Sequence, residues 1–219
     1  NTGTYIKSLK HEDLSFINNE LSKWIVNHFG LVQSAARLGL RFGKKIEYTF
    51  GNKTLVLITK ILNRVFGTPI WHKTLPSVAK SIKSSNYSND NKWVYFPSCV
   101  NRVLSSDSSK SSLASLLDEI SLKCGESFRI PKMINSICCS QAFASKGYKN
   151  AAVLMQEKTI DIIWECSKQG QLPVFIDTSP CTHQLLDFHP DLNNSSKKKL
   201  EKLKILDLVD YLILCIKEI

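Results

Sequence analysis

Residues 93–99 read Trp-Val-Tyr-Phe-Pro-Ser-Cys: a short apolar run, a proline that ends it, and a cysteine just beyond. Four apolar residues stopped by proline are the signature of a short buried strand, since proline withdraws a ladder donor and closes the pairing. The pattern returns at residues 174–181, Val-Phe-Ile-Asp-Thr-Ser-Pro-Cys, where a second apolar run is again followed by proline and cysteine. A third strand is expected at Ser127–Ile130. Helical patterns separate them, over Leu113–Lys123 and over Ser145–Lys168 up to Gly170. Strands alternating with helices imply an α/β domain with a mostly parallel sheet and crossover connections.

The chain ahead of this domain reads differently. Phe16, Ile17, Leu21, Trp24, Ile25 and Phe29 follow three-and-four spacing, the mark of an amphipathic helix. Gly30 is placed to interrupt it, and Leu31, Ala35, Leu38 and Leu40 continue it to Gly43. A further helix is expected from Lys53 to Phe66, stopped by Gly67-Thr68-Pro69, with Trp71, Leu75 and Pro76 in an anchored loop. The polar run at 81–91, SIKSSNYSNDN, reads as a linker. The organisation is therefore a helical lead-in over 1–80, a linker over 81–91 and a cysteine-rich domain over 92–219. After the charged run Lys197–Lys204, the apolar segment Ile205–Ile216 reads as a final helix.

The 219 residues suffice for a buried core, and no apolar run is long enough to cross a bilayer. Net charge is +10, concentrated in residues 1–90, which hold 13 Lys/Arg against 5 Asp/Glu. A solvated helical surface accounts for that excess. An acidic partner or a peripheral contact with anionic lipid at the inner face of a membrane are alternatives, and nucleic acid is disfavoured because no arginine-rich stripe interleaves with aromatics. Seven cysteines are too few and too uneven for a secreted disulfide scaffold. The four sequons, at Asn52, Asn86, Asn193 and Asn194, are attributed to chance in a chain rich in Asn and Ser, and a cytoplasmic location is expected. The chain opens at Asn1 and its methionines are Met133 and Met155, so it reads as a piece of a longer polypeptide. No Walker loop, dinucleotide fingerprint or HExxH motif is present.

Cys99 and Cys181 each follow a strand, and in a parallel sheet the carboxyl ends of strands share one edge. With Ser179 as N-cap and Pro180 at the first helical position, Cys181 falls in a helix's first turn, where its thiolate is favoured. Cys138 and Cys139 lie in the connection before the helix expected at Ser145, and in a loop, unlike a strand, adjacent side chains can converge. Cys99, Cys138, Cys139 and Cys181 are thus the candidate metal ligands, for an iron–sulfur cluster or for zinc. Cys166 and Cys215 fall within apolar helical patterns and are read as core, with Cys124 a reserve ligand. His183 is expected to face solvent, Asp177 to stabilise a loop, Lys146 to be solvated, and Trp93, Tyr95 and Phe96 to be core.

The phrases VYFPSCVNRV, CCSQAFASKGYKNAA and DTSPCT resemble the carboxyl-terminal part of FAD-linked, iron–sulfur D-lactate dehydrogenases. The spacing of their cysteines resembles the cysteine-rich CCG domain, which also occurs in glycolate oxidase iron–sulfur subunits and heterodisulfide reductase B subunits. The opening NTGTYIKSLKHE resembles the stretch just after the ferredoxin-like segment of those proteins. The resemblance implies an oxidoreductase fragment whose FAD and ferredoxin-like domains lie upstream. Its own part is to carry electrons from flavin to an acceptor through an iron–sulfur centre, 4Fe-4S in type, held by the four cysteines; zinc, or a structural domain without metal, is the alternative. The chain departs from the family at Ser140, where glycine is usual, at Thr178, where a further cysteine is common, and in carrying one CCG repeat.

Overall fold

In the computed structural model, residues 16–66, 70–82, 90–105, 112–187 and 191–217 are described. Four strands form one parallel sheet: β2 (Trp93–Phe96), β4 (Phe128–Arg129), β5 (Val174–Ile176) and β6 (Ile205–Asp207), in the order β4-β2-β5-β6. Val94, Tyr95, Phe96, Val174, Phe175 and Ile176 are fully buried, as expected of strands covered on both faces. Tyr95, Phe175 and Tyr211 stack in sequence, with ring centroids 4.9 and 3.9 Å apart, and Phe128 meets Tyr95 edge-on at 5.3 Å. Fully burying one such ring contributes about 1.5–3 kcal/mol, so this layer anchors the sheet's centre.

The covering helices follow the strands. They are α4 (Cys99–Val103), α5 (Leu113–Lys123), the short α6 (Gln141–Ala144), α7 (Lys149–Cys166), α8 (Ser179–Leu186), α9 (Asn194–Lys202) and α10 (Leu208–Lys217). The mixed α/β class, with helices leading into a parallel sheet, agrees with the sequence reading, and β2, β5 and α5 have the expected limits. The strand expected at Ser127–Ile130 is confined to Phe128–Arg129, and two larger differences follow. The helix expected from Ser145 begins at Lys149, because Gly147 turns the chain at φ +86° and leaves α6 as a separate turn. The segment expected as one helix from Ile205 splits into β6 and α10. Its first three residues pair with Val174–Ile176, a partner that lies about 30 residues away and that local periodicity cannot reveal.

The leading part forms α1 (Phe16–Asn27), α2 (Phe29–Phe50) and α3 (Asn52–Phe66). The break falls at His28 rather than Gly30, and α2 runs through Gly43 instead of stopping there. Gly43 is needed for packing: a Cβ at that position would come within 2.3 Å of the Trp71 ring. The anchored loop is thus confirmed at Trp71, whose backbone N–H donates to Thr59 Oγ1 at 3.0 Å. Residues 67–69 and most of the expected linker, 83–89, lie outside the described residues. The linker's end is built into the sheet edge, where the Asn91 amide donates to the Phe128 carbonyl. Short β1 (Ser77–Val78) and β3 (Leu104–Ser105) pair antiparallel, and Val26 of α1 joins the main core.

The apolar spacing of these helices does not coincide with their buried faces. The stripe of α1 is divided: Phe16, Ile17, Leu21 and Trp24 are exposed, Ile25 and the following Phe29 pack against the core, and Ser22 and Val26 are the buried residues of α1. In α2 the buried positions are Gln33 and Gly43, and Leu31, Leu38 and Phe42 face out. One polar side chain of α2 reaches the backbone of the body. Arg37 donates through its two terminal nitrogens to the carbonyls of Arg102 and Ala79.

Candidate functional site

The carboxyl ends of β4, β2 and β5 lie side by side, and the connection after each carries cysteine. From β2 the chain passes Pro97 to Ser98, which caps α4 by accepting from Asn101 N–H, so Cys99 is its first helical residue. From β5 it passes Asp177 to Thr178, the N-cap of α8, one residue earlier than expected; Pro180 lies in the first turn and Cys181 follows. From β4 a 3-10 turn at Ile134–Ser136 leads to Cys138 and Cys139. Ser140 then takes a left-handed conformation, φ 70°, that starts α6.

The four candidate cysteines converge. Cys139 Sγ donates to Cys181 Sγ at 2.8 Å. Cys138 hydrogen-bonds Cys99, and charge interactions link Cys99 to Cys181 and Cys138 to Cys139. Each member of the vicinal pair therefore faces a cysteine from a different strand. The loop geometry that permits this is held in place: Thr159 Oγ1 donates to the Cys138 carbonyl at 2.8 Å, and the Gln184 amide donates to Ser140 Oγ at 3.3 Å.

Within each contacting pair the hydrogen bond favours thiolate on one sulfur and thiol on the other. The hydrogen bond from Cys138 lowers Cys99 to about 6 against the opposing effect of burial, with Arg102 helping. The same bond and burial push Cys138 well up. Cys181 is lowered by the hydrogen bond from Cys139, while that bond and burial raise Cys139. Backbone N–H groups also serve the sulfurs, Ser140 toward Cys138 at 3.4 Å and Gln141 toward Cys139. Such donors stabilise thiolate charge.

The residue that sequence reading missed is Arg102. Its side chain is only 1% exposed, and its guanidinium donates to the carbonyls of Ser98, Ile134 and Ile137. It thereby fastens the β2 connection to the loop that carries the cysteine pair. Its charge interacts with Cys99, Cys138, Cys139 and Asp177, so it lies among the acidic groups of the cluster. The signal was present: Arg102 is three residues after Cys99, one helical turn on, and so shares its face. Asp177 has the expected loop role, accepting from Ser98 N–H and Tyr95 hydroxyl at 2.8 Å each, which ties β2's end to β5's.

No family model, curated protein or solved structure matches the chain. The candidate centre therefore rests on its own geometry. Its donor chemistry suits a thiolate-bound metal: four sulfurs, N–H donors and a buried cation. The contact between two of its sulfurs is tighter than such a centre requires. Tetrahedral zinc with bonds of about 2.3 Å sets sulfurs roughly 3.8 Å apart, whereas Cys139 and Cys181 stand at 2.8 Å. Among the described residues no group of three or more His, Cys, Asp or Glu is spaced to hold a metal ion. Holding one requires Cys139 and Cys181 to swing apart by roughly an ångström.

The remaining candidates fall outside the cluster. Cys166 and Cys215 are buried in the core as expected. Cys124, the reserve ligand, caps the end of α5 and hydrogen-bonds Cys215. Lys146 and His183 are exposed. His183 lines a surface cavity of about 410 Å³ with Gln141, Pro180, Gln184, Leu186 and Asp187, beside the first turn of α8.

Proposed function

We infer that Cys99, Cys138, Cys139 and Cys181 hold an iron–sulfur centre, and that the chain is the electron-transfer portion of an FAD-dependent 2-hydroxy-acid dehydrogenase of the D-lactate or glycolate type. The observation that carries the reading is the meeting of four thiols from three connections at one sheet edge. Two of them are held toward thiolate, and one of these, Cys99, interacts with the charge of the buried Arg102. The phrases around these cysteines, which resemble the iron–sulfur dehydrogenases, supply the reaction class.

An iron–sulfur centre takes up and releases single electrons, with a potential set by burial and by hydrogen bonds to its sulfurs. This chain's contribution is to supply the thiolates, to offset part of their charge with Arg102, and to aim the N–H groups of Ser140 and Gln141 at them. Zinc in the same thiols is the second reading, favoured by the lone CCG repeat and by Thr178, whose side chain hydrogen-bonds Cys181 where the family often adds a ligand.

The test is anaerobic purification of the chain, with iron, zinc and acid-labile sulfide measured beside the visible spectrum. Iron and sulfide in comparable amounts, lost in Cys139→Ser and Cys181→Ser and retained in Cys124→Ser, are expected. Zinc without sulfide would establish the second reading. A colourless protein that also fails anaerobic reconstitution with iron and sulfide would end the iron–sulfur reading.

A further inference from the structure

Helices α2 and α3 carry their most regular apolar stripes on the side away from the protein body. On α2, Leu38 and Phe42 are 51% and 57% exposed, while the inward side presents Gln33, Arg37 and Gly43. On α3, Leu57 and Ile61 are 61% and 58% exposed, whereas Leu55 is buried. An amphipathic helix gains nothing in water from a stripe held outward, and contiguous exposed apolar surface of this kind marks an interaction face.

The charges bordering the stripes indicate the partner. Arg41 and Lys45 stand three residues after Leu38 and Phe42, and Lys60 and Arg64 stand three residues after Leu57 and Ile61. At that spacing each cation is the immediate neighbour of an apolar side chain on the same helix surface. All four are exposed. Residues 29–66 contain seven Lys/Arg and one acidic residue, Glu47, which pairs with Lys44. Two copies of such a hairpin would set like charges against each other, which opposes self-association through this face.

We propose that the α2–α3 hairpin is a docking face for the surface of an anionic phospholipid bilayer. The exposed leucine, isoleucine and phenylalanine side chains enter the boundary between headgroups and acyl chains, and the bordering Lys and Arg meet lipid phosphates. This is the arrangement of a helix lying in the interface plane, with aromatic and aliphatic groups on one face and cations beside them. The hairpin lies on the surface and does not span, since no described helix is long and apolar enough to cross a membrane. The proposal is independent of what the cysteine cluster holds.

The experiment is co-sedimentation of the whole 219-residue chain with vesicles of phosphatidylcholine alone, and of phosphatidylcholine mixed equally with phosphatidylglycerol, at low and high salt. The chain is expected to pellet with the anionic vesicles and to be released by salt. Arg41→Gln/Lys45→Gln should weaken binding by roughly fivefold for each charge removed. Leu38→Gln/Phe42→Gln should weaken it while retaining every charge. These side chains are exposed, and circular dichroism and the urea midpoint check that both variants fold. Equal binding to neutral vesicles, or none to either kind, overturns the proposal. Concentration-dependent dimerisation abolished by Leu38→Gln/Phe42→Gln would also overturn it, by assigning the face to a second copy.

Discussion

Replacing Arg102 by methionine removes the cation and the donors that tie two cysteine-bearing connections together. The guanidinium donates to the carbonyls of Ser98, Ile134 and Ile137, and Ile134 and Ile137 are themselves buried. Hydrogen bonds to a charged group are each worth about 1.5–3 kcal/mol, and a buried acceptor left without its donor costs about 1–3 kcal/mol. Removing the buried charge recovers part of its desolvation cost, so the net loss expected is about 3–5 kcal/mol. Against a total stability of about 5–15 kcal/mol this is a large fraction. In urea, with a slope of about 1–3 kcal/mol/M, the midpoint should fall by more than 1 M. Arg102→Lys keeps the charge but replaces a planar fork with a single ammonium, and should fall between wild type and Arg102→Met. Alkylation of Cys99 gives the readout that a purely structural role would not move, because Arg102 helps to lower that thiol. Cys99 should be modified more slowly near neutral pH in Arg102→Met than in Arg102→Lys, with both compared at urea concentrations where the protein is folded. An Arg102→Met protein that unfolds at the wild-type midpoint and alkylates at the wild-type rate would refute the role given to this side chain.

Ser140 tests the turn between the cysteine pair and α6. It is fully buried at φ 70°, where a side chain costs about 1–2 kcal/mol relative to glycine. Ser140→Ala keeps that cost and loses the hydrogen bond from Gln184, so it should be less stable than wild type by about 1 kcal/mol. Ser140→Gly loses the same bond but relieves the backbone, and should unfold near the wild-type midpoint; equal midpoints for the alanine and glycine variants would show that the left-handed turn is not retained. The thiol pair Cys99–Cys138 should give stability a maximum in pH when no metal is bound. From about pH 6 up to roughly 8.5, the unfolded chain holds a proton on Cys99 that the folded one has released, so stability rises with pH. Above roughly 8.5 the unfolded chain also releases the Cys138 proton, which the folded chain retains because its pKa is raised, and stability falls. The difference in urea midpoint between wild type and Cys99→Ala/Cys138→Ala, followed across this range, should peak near the usual thiol value; a flat difference would contradict the opposed shifts of the two thiols.

Much of the architecture was legible because it is written locally. Trp93–Phe96 and Val174–Ile176 are short apolar runs closed by proline or by a cap, and each formed a strand where the pattern placed it. The elements that escaped depend on distant chain. Ile205–Asp207 is a strand because Val174–Ile176 supplies its partners, and within its own segment it looks like the start of the helix that follows. Gly43 reads as a helix end, yet it lies inside α2 because the Trp71 ring packs against its missing side chain. The divided stripe of α1 and the outward stripes of α2 and α3 could not have been read from period alone, since periodicity gives the width of an apolar face and not the direction in which it points.

For the cluster the division is similar. Sequence alone determined which cysteines sit just past strand ends or in a loop, since residue order and turn chemistry fix that. Because adjacent parallel strands present their carboxyl ends together, it also determined that such residues could share one edge. Tertiary structure decided how they pair: Cys139 with Cys181, and Cys138 with Cys99. It also decided that Arg102 lies buried among them, holding Ile134 and Ile137 by their carbonyls. These contacts join residues more than 30 positions apart, and they form only when the sheet has set the strand order and the loops have been packed against it.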